Sequence, residues 1–382
     1  MKSEGADEGL LTALAQRTAS LQPGDTVDLS DLCERDPLGA EAFALAARRF
    51  GIEAGPDGSW QLAKAPRWLP DWITTADEAA YLELFEQAFG HRMAPAFWHW
   101  KYRDTGRPGM GVWRDGKLVG FYGAMPRRTL FLGEPVSTVQ IGDVMVHPAE
   151  RGVMTRSGPF QIAASTFIDR SVGYGRQHLF GFGFPTSKAL QIAQKLGLYE
   201  EVDRMTEIWW PARSTWGDRV LRSKAATPAD AAAIDRLWNE MAADFKDSIL
   251  GVRDARYIEE RFMKHPSVTY RCLLFRHAVT GKAQGLLVLR PLETGDFELM
   301  DIVAPRRNFT RLVSAARHWA TRHGAARVKA WVTASHAGLL ATADAEQTPL
   351  DLVVPANVWS QGPSADTLRG RWWLMAGDTD FR

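Results

Sequence analysis

The sequence predicts an α/β chain of the α+β kind, in which two tandem mixed-sheet domains follow a small, mainly helical, winged-helix-like unit. Three observations carry this. At 382 residues the chain is too long for one ordinary core. Between residues 76 and 212, antiparallel strand signals give way to a strand–helix–strand–helix–strand tail, the order of a mixed sheet with helices on both faces. The landmarks of that stretch then return, in order, in the second half.

Residues 1–66 open with "LLTALAQRTASL" at helical spacing, a short helix at Leu29–Cys33 after Asp28, and a strong helix in "AEAFALAARRFGI". A Pro-Asp-Gly turn leads to the strand-like "SWQL". Helices followed by a hairpin suggest a winged helix. The segment also loosely resembles an acyl carrier domain, but Pro37 stands where a carrier needs its serine, so no phosphopantetheine is expected. Six Lys/Arg against eleven Asp/Glu give the unit a net charge of −5, which repels phosphates. Docking to a protein partner or packing is expected of it. Residues 67–75, within "KAPRWLPDWITTADE", read as a Pro-rich linker.

From Ala76 a helix over 77–89 leads to "PAFWHWKY", strand "GVWRD", an Asp115-Gly116 turn, strand "KLVGFYGAMPRRTLFL", a "GEP" turn and strand "STVQIGDVMVH". The helix that follows carries Phe160, Ala163, Ala164, Phe167 and Ile168 on one stripe. Strand "HLFGFGF", helix "SKALQIAQKLG" and strand "EVDRMTEIWW" close this domain near residue 212. After a linker at 213–224, residues 225–382 repeat the plan. "YIEERF" (257–262) matches "FWHWKY" (97–102), and Gly281-Lys282 and Gly285 match Gly116-Lys117 and Gly120 at a shift of 165. "DIVAPRR" matches "DVMVHPAER", with Asp301 shifted by 158 from Asp143. The aromatic-rich end "RGRWWLMAGDTDF" is expected to pack on the partner domain.

A net charge of +1 argues against a dedicated nucleic-acid binder. "MKSEGADEGL" lacks the apolar core of a signal peptide, and no uncharged run reaches the roughly 18 residues of a membrane helix. Cys33 and Cys272 lie far apart and outside any CxxC pair, so neither a disulfide framework nor a cysteine zinc site is expected, and a cytoplasmic setting is.

The stretch "DVMVHPAERGVMTRSGPF" (143–160) concentrates the chemistry. A strand ends at His147-Pro148, a cationic glycine loop follows, and Pro159 suits the first position of a helix. Free backbone N–H groups converging on a helix's positive end bind phosphates. Arg151, Gly152, Arg156, Ser157 and Gly158 supply such a cradle, although neither G-x-G-x-x-G nor G-x-x-x-x-G-K-[ST] is present. A bulge or splay near Met145, Val146 and His147 frees edge groups there to pair with an extended amide chain.

These features resemble the GNAT superfamily of acyl-CoA-dependent N-acyltransferases. "VMVHPAERG" and "GFGFPTSKALQIAQKLGLY" are similar to the family's Val-x-Pro strand, [RQ]-x-x-G-x-[GA] loop, Asn-x-x-Ala helix and Leu-Gly-φ turn. The resemblance covers 76–212 well and 225–382 weakly, and it omits 1–66. It implies acetyl-CoA or another acyl-CoA as co-substrate, no metal, and a small-molecule amine as acceptor. The loop is longer than the family's, so either Arg151-Gly152 or Arg156-Ser157-Gly158 is the cradle; the second lies directly before the helix. The family's acid Tyr falls on Ala193, with Tyr199 just past the turn. Asp143 is the best-placed base, alternation putting it on one strand face with Met145, and holding a neighbouring loop is its other reading. His147, Glu150 and Glu207 are weaker bases, and Arg127 and Arg128 are read as a solvated strand end or as ligands of an acidic group. "APRRNFTRL" has no glycine where the second copy needs one, so that copy is expected to bind no coenzyme. An aminoacyltransferase of the peptidoglycan-bridge kind and a non-catalytic CoA-binding scaffold are the alternatives.

Overall fold

A computed structural model describes residues 9–103, 105–152, 158–214 and 220–379. The N-terminal unit runs α1 (Leu10–Thr18), β1 (Thr26–Val27), α2 (Ser30–Arg35), α3 (Gly39–Arg49), β2 (Ile52–Ala54) and β3 (Trp60–Leu62). Its small sheet has the order β1-β3-β2, the arrangement of a winged helix. Helix α3 buries Ala42, Phe43, Ala46 and Ala47 on one stripe, the periodicity that makes it amphipathic.

The next stretch comprises β4 (Leu69–Ile73), α4 (Glu78–Phe89), α5 (Pro95–Tyr102), β5 (Gly109–Arg114), β6 (Lys117–Phe131), β7 (Glu134–Val146), α6 (Pro159–Ser171), β8 (Gly181–Gly183), α7 (Ser187–Lys195) and β9 (Tyr199–Pro211). Strands β4 to β7 are antiparallel neighbours in sequence order, and β8 joins β7 in parallel. The β5–β6 turn takes positive φ at both Asp115 (50°) and Gly116 (74°), the demand that an Asp-Gly pair meets.

The remainder is β10 (Leu221–Ala225), α8 (Ala231–Asp244), β11 (Ile249–Gly251), α9 (Ala255–Ile258), β12 (Arg271–His277), β13 (Ala283–Pro291), β14 (Phe297–Val303), α10 (Phe309–Arg322), β15 (Arg327–Thr333), β16 (Glu346–Asn357), α11 (Ala365–Leu368) and β17 (Trp372–Trp373). The order β10-β12-β13-β14-β15, antiparallel until a parallel last pair, repeats that of β4 to β8. Registers correspond as well: Phe121 pairs with Met145, and Leu286, 165 residues on, pairs with Val303, 158 residues on.

The two halves exchange strands. Strand β9, which the sequence assigns to the first domain, lies between β15 and β16 of the second sheet. Strands β11 and β17 in return extend the first sheet beyond β6, and β16 comes alongside the end of β8, where the Val353 N–H donates to the Pro185 carbonyl. The expected boundary at residue 212 therefore divides the chain but not the sheets.

The N-terminal unit packs on α6. Its core is continuous with Trp72, Ile162 and Phe167 of the first domain. A fully buried, two-pronged ion pair joins Arg170 of α6 to Asp36, at 2.7 and 2.9 Å.

Candidate active site

Two irregularities of β7 create the site. The first is a bulge: Phe121 faces Met145 and Gly123 faces Gly142, so Asp143 and Val144 together oppose Tyr122. Asp143 takes φ 47°, a left-handed conformation that aspartate tolerates better than most residues. The second is a splay. The parallel β7–β8 ladder stops at Ile141–Gly183, which leaves residues 142–146 without a strand partner on that side. The expected irregularity near Met145 is thus present, centred two residues earlier.

The splay opens into a cavity of about 490 Å³. Gly142, Asp143 and Val144 form one wall; Phe184, Pro185 and α7 residues Ala189, Leu190 and Ala193 form the other. Tyr122 and Phe160 lie on the α6 side, Phe85, Phe89 and His91 at the end of α4, and Tyr199 with Pro355 of β16 close the floor. Phe89 and Val144, 46% and 40% exposed, are among the few large apolar side chains open to water. The His91 ring packs edge-on against Phe85, and its Nδ1 lies 3.3 Å from the Phe89 carbonyl. A carbonyl only accepts, so that contact places the proton on Nδ1 and leaves the Nε2 lone pair free.

Asp143 faces away from this cavity's apolar walls into a cluster of donors. Its carboxylate accepts from Lys101 Nζ (2.6 Å), Tyr81 OH (2.7 Å) and Tyr102 OH (2.8 Å), with the Lys101 side chain 2% exposed. Met145 is buried beside the same tyrosines, as alternation from Asp143 requires. Asp301 of the second half is likewise bound, by Arg253 Nε (2.9 Å) and Tyr257 OH (3.1 Å). Three donors take up three of the roughly four lone-pair sites of the carboxylate and fix its position.

Tyr199 reaches the cavity, as its place after the turn suggested. Burial raises its phenol well above the ordinary range, and its hydroxyl has no hydrogen-bond partner among the described residues. Arg151 is committed elsewhere: Nε and Nη2 donate to the carbonyls of Val146 and Ala88, both at 2.9 Å. The Val146 carbonyl is therefore not free for a ligand. His147 caps the next turn by accepting from Ala149 N–H, and its own N–H pairs with Val119. Gly152 takes φ 93°, and Gly158 precedes Pro159 at the start of α6. Arg156 and Ser157 lie outside the described residues.

The weaker candidates are structural. Burial pushes the Glu150 carboxyl up, but donation from Arg114, Trp68 and Arg67 outweighs it and holds it low. Glu207 is likewise held low against its burial by Lys329, Trp331 and Trp209. Arg127 donates to Gln140, and Arg128 forms a paired bridge to Asp254, so neither is a merely solvated strand end. Among the described residues, no His, Cys, Asp or Glu group could hold a metal, and no helix is long and apolar enough to cross a membrane. Sequence reasoning missed Lys101, Tyr81 and His91. The repeated aromatic-x-x-x-Lys/Arg-aromatic stretch was the available signal for the first.

The equivalent splay in the second half is filled. Strands β14 and β15 pair only over 297–299 and 328–330. Beyond that, Leu374 and Met375 pair with the end of β15, and Gly377 lies against Met300 and Asp301. Residues 374–377 are almost fully buried there. The C-terminal tryptophans pack on both halves: Trp372 meets Phe180 and Phe182, and Trp373 meets Phe245 and Phe309.

A family model described as acetyltransferase (GNAT) domain matches residues 71–197. No curated protein matches the chain. Solved structures share the fold. A conserved protein of unknown function from Enterococcus faecalis V583, described as a probable N-acyltransferase, is 15% identical with a TM-score of 0.58, over 79% of this chain and 74% of its own. GCN5-related N-acetyltransferases from Anabaena variabilis (13%, 0.57, 77% and 73%) and Kribbella flavida (19%, 0.54, 75% and 70%) are similar to it too. The family match falls on the stretch that holds the bulge, the splay and the loop before α6. Residues 71–197 thus match a GNAT acetyltransferase domain, and the chain shares its fold with N-acyltransferase structures.

Proposed function

We propose that the chain moves an acyl group from acyl-CoA to the amine of a small acceptor, using a single coenzyme site in its first half. The observation that carries this is the edge of residues 142–145, which has no strand partner among the described residues, beside the 490 Å³ cavity. A pantetheine arm presents amides that such an edge can pair, and the loop before α6, ending at Gly158-Pro159, suits its pyrophosphate. In the second half the corresponding space is taken by Leu374–Gly377, which leaves no room for a second coenzyme.

The amine nitrogen attacks the thioester carbon, the C–N bond forms, the C–S bond breaks, and coenzyme A leaves as a thiolate that ends protonated. An ammonium acceptor must first lose a proton. Asp143 is bound by three donors and serves to hold the bulge, so His91 Nε2 is the proton acceptor on the cavity wall. Tyr199 is too weak an acid to give its proton fully to a thiolate; it acts as a hydrogen-bond donor at most. Acetyl-CoA and longer acyl-CoAs both suit the apolar walls.

Calorimetric titration with an acyl-CoA panel tests the reading, followed by thiol-release assays with amines. One site per chain is expected, and His91→Gln should lower turnover on the order of 10²-fold with affinity kept. Two sites would overturn the single-site reading. Binding without thiol release by any amine would favour a CoA-binding scaffold.

A further inference from the structure

The Tyr122 hydroxyl is buried and has no hydrogen-bond partner among the described residues, although the residue lines the cavity and is only 1% exposed. Buried hydroxyls almost always have a partner, since leaving one unpaired is costly. The position is also particular. Tyr122 is the residue that the bulge at Asp143 and Val144 opposes, so it sits beneath the stretch of β7 beyond Ile141, where the ladder to β8 has stopped. Its ring is fixed by Phe167, with centroids 5.6 Å apart, which leaves the hydroxyl little freedom to find another acceptor. In the second half, where the splay is filled, the matching position 165 residues on is Leu287, fully buried and apolar. A hydroxyl thus occurs at this place in the half with the open cavity and not in the half without one.

We infer that Tyr122 is a ligand-binding residue whose hydroxyl donates to a carbonyl oxygen of the bound acyl-CoA, either in the pantetheine arm or in the thioester. The inference rests on the coenzyme reading above. It requires no proton transfer and no group beyond the co-substrate itself.

Tyr122→Phe removes the oxygen and nothing else. Its thermal midpoint should equal or exceed that of the wild type, because an unpaired polar group has been deleted. Its affinity for acyl-CoA should fall on the order of tenfold. Titration with free coenzyme A separates the two carbonyls: equal weakening places the contact on the pantetheine arm, and weakening of acyl-CoA alone places it on the thioester. Unchanged affinity for both ligands overturns the inference, as does a lowered midpoint, which would give the hydroxyl a role in the fold. A wild-type chain that binds neither ligand would instead remove the coenzyme reading beneath it.

Discussion

Asp143 and Lys101 form the most consequential ion pair beside the site, since both are nearly withdrawn from water. Asp143→Asn takes one counter-charge from the buried ammonium of Lys101, a loss of up to about 3–5 kcal/mol. The expected result is a lower urea midpoint, partly recovered when Lys101→Met is added, because the double variant buries no unpaired charge. A catalytic base would behave differently, losing turnover at unchanged stability. The alternation of Asp143 with Met145 was legible, since it follows from local strand geometry. The partners of Asp143 are 42 and 62 positions away, and only the packing of α4 and α5 onto the sheet brings them together. Glu150 and Glu207 show the same limit: an acidic residue near a site reads alike whether it faces a ligand or an arginine.

At the level of elements, α6 links the end of the loop at Gly158-Pro159 to the N-terminal unit. Eleven of its thirteen residues are buried, one side on the sheet and the other on the winged-helix-like core. Removing residues 1–66 should expose that second side and take Asp36 from the buried Arg170. We expect the truncated chain to melt lower and to bind acyl-CoA more weakly, as followed by thermal unfolding and calorimetry. Retained stability and affinity would make the unit an independent attachment. Helices and hairpins were readable from spacing, capping prolines and the Asp-Gly turn. The short strands β11 and β17 were not, because three and two residues carry no periodic pattern and are strands only by virtue of their partners. The splay was readable only as a motif, since the sequence cannot say where a ladder stops.

Across the whole molecule, the passage of β9 into the second sheet and of β11 and β17 into the first ties the two halves into one folding unit. Expressed alone, residues 220–382 would lack the strand between β15 and β16 and expose two unpaired edges, a hazard for aggregation. Residues 1–219 would present β9 with no sheet to enter. Each fragment should be insoluble or dimeric, whereas co-expression should give a soluble one-to-one complex, measured by light scattering after gel filtration. Order and matching registers of the two halves were foreseeable from repeated landmarks; the exchange was not, because a strand's composition does not name its neighbour. The arrangement of β9 against β16 is also what two identical subunits would form by trading arms about a twofold axis. A chain descended from such a pair could let one half forget its chemistry, but not its shape. Pro355 in the floor of the cavity belongs to the second half, so any loosening of that half would be felt first as a leak in a chamber whose other walls belong to the first.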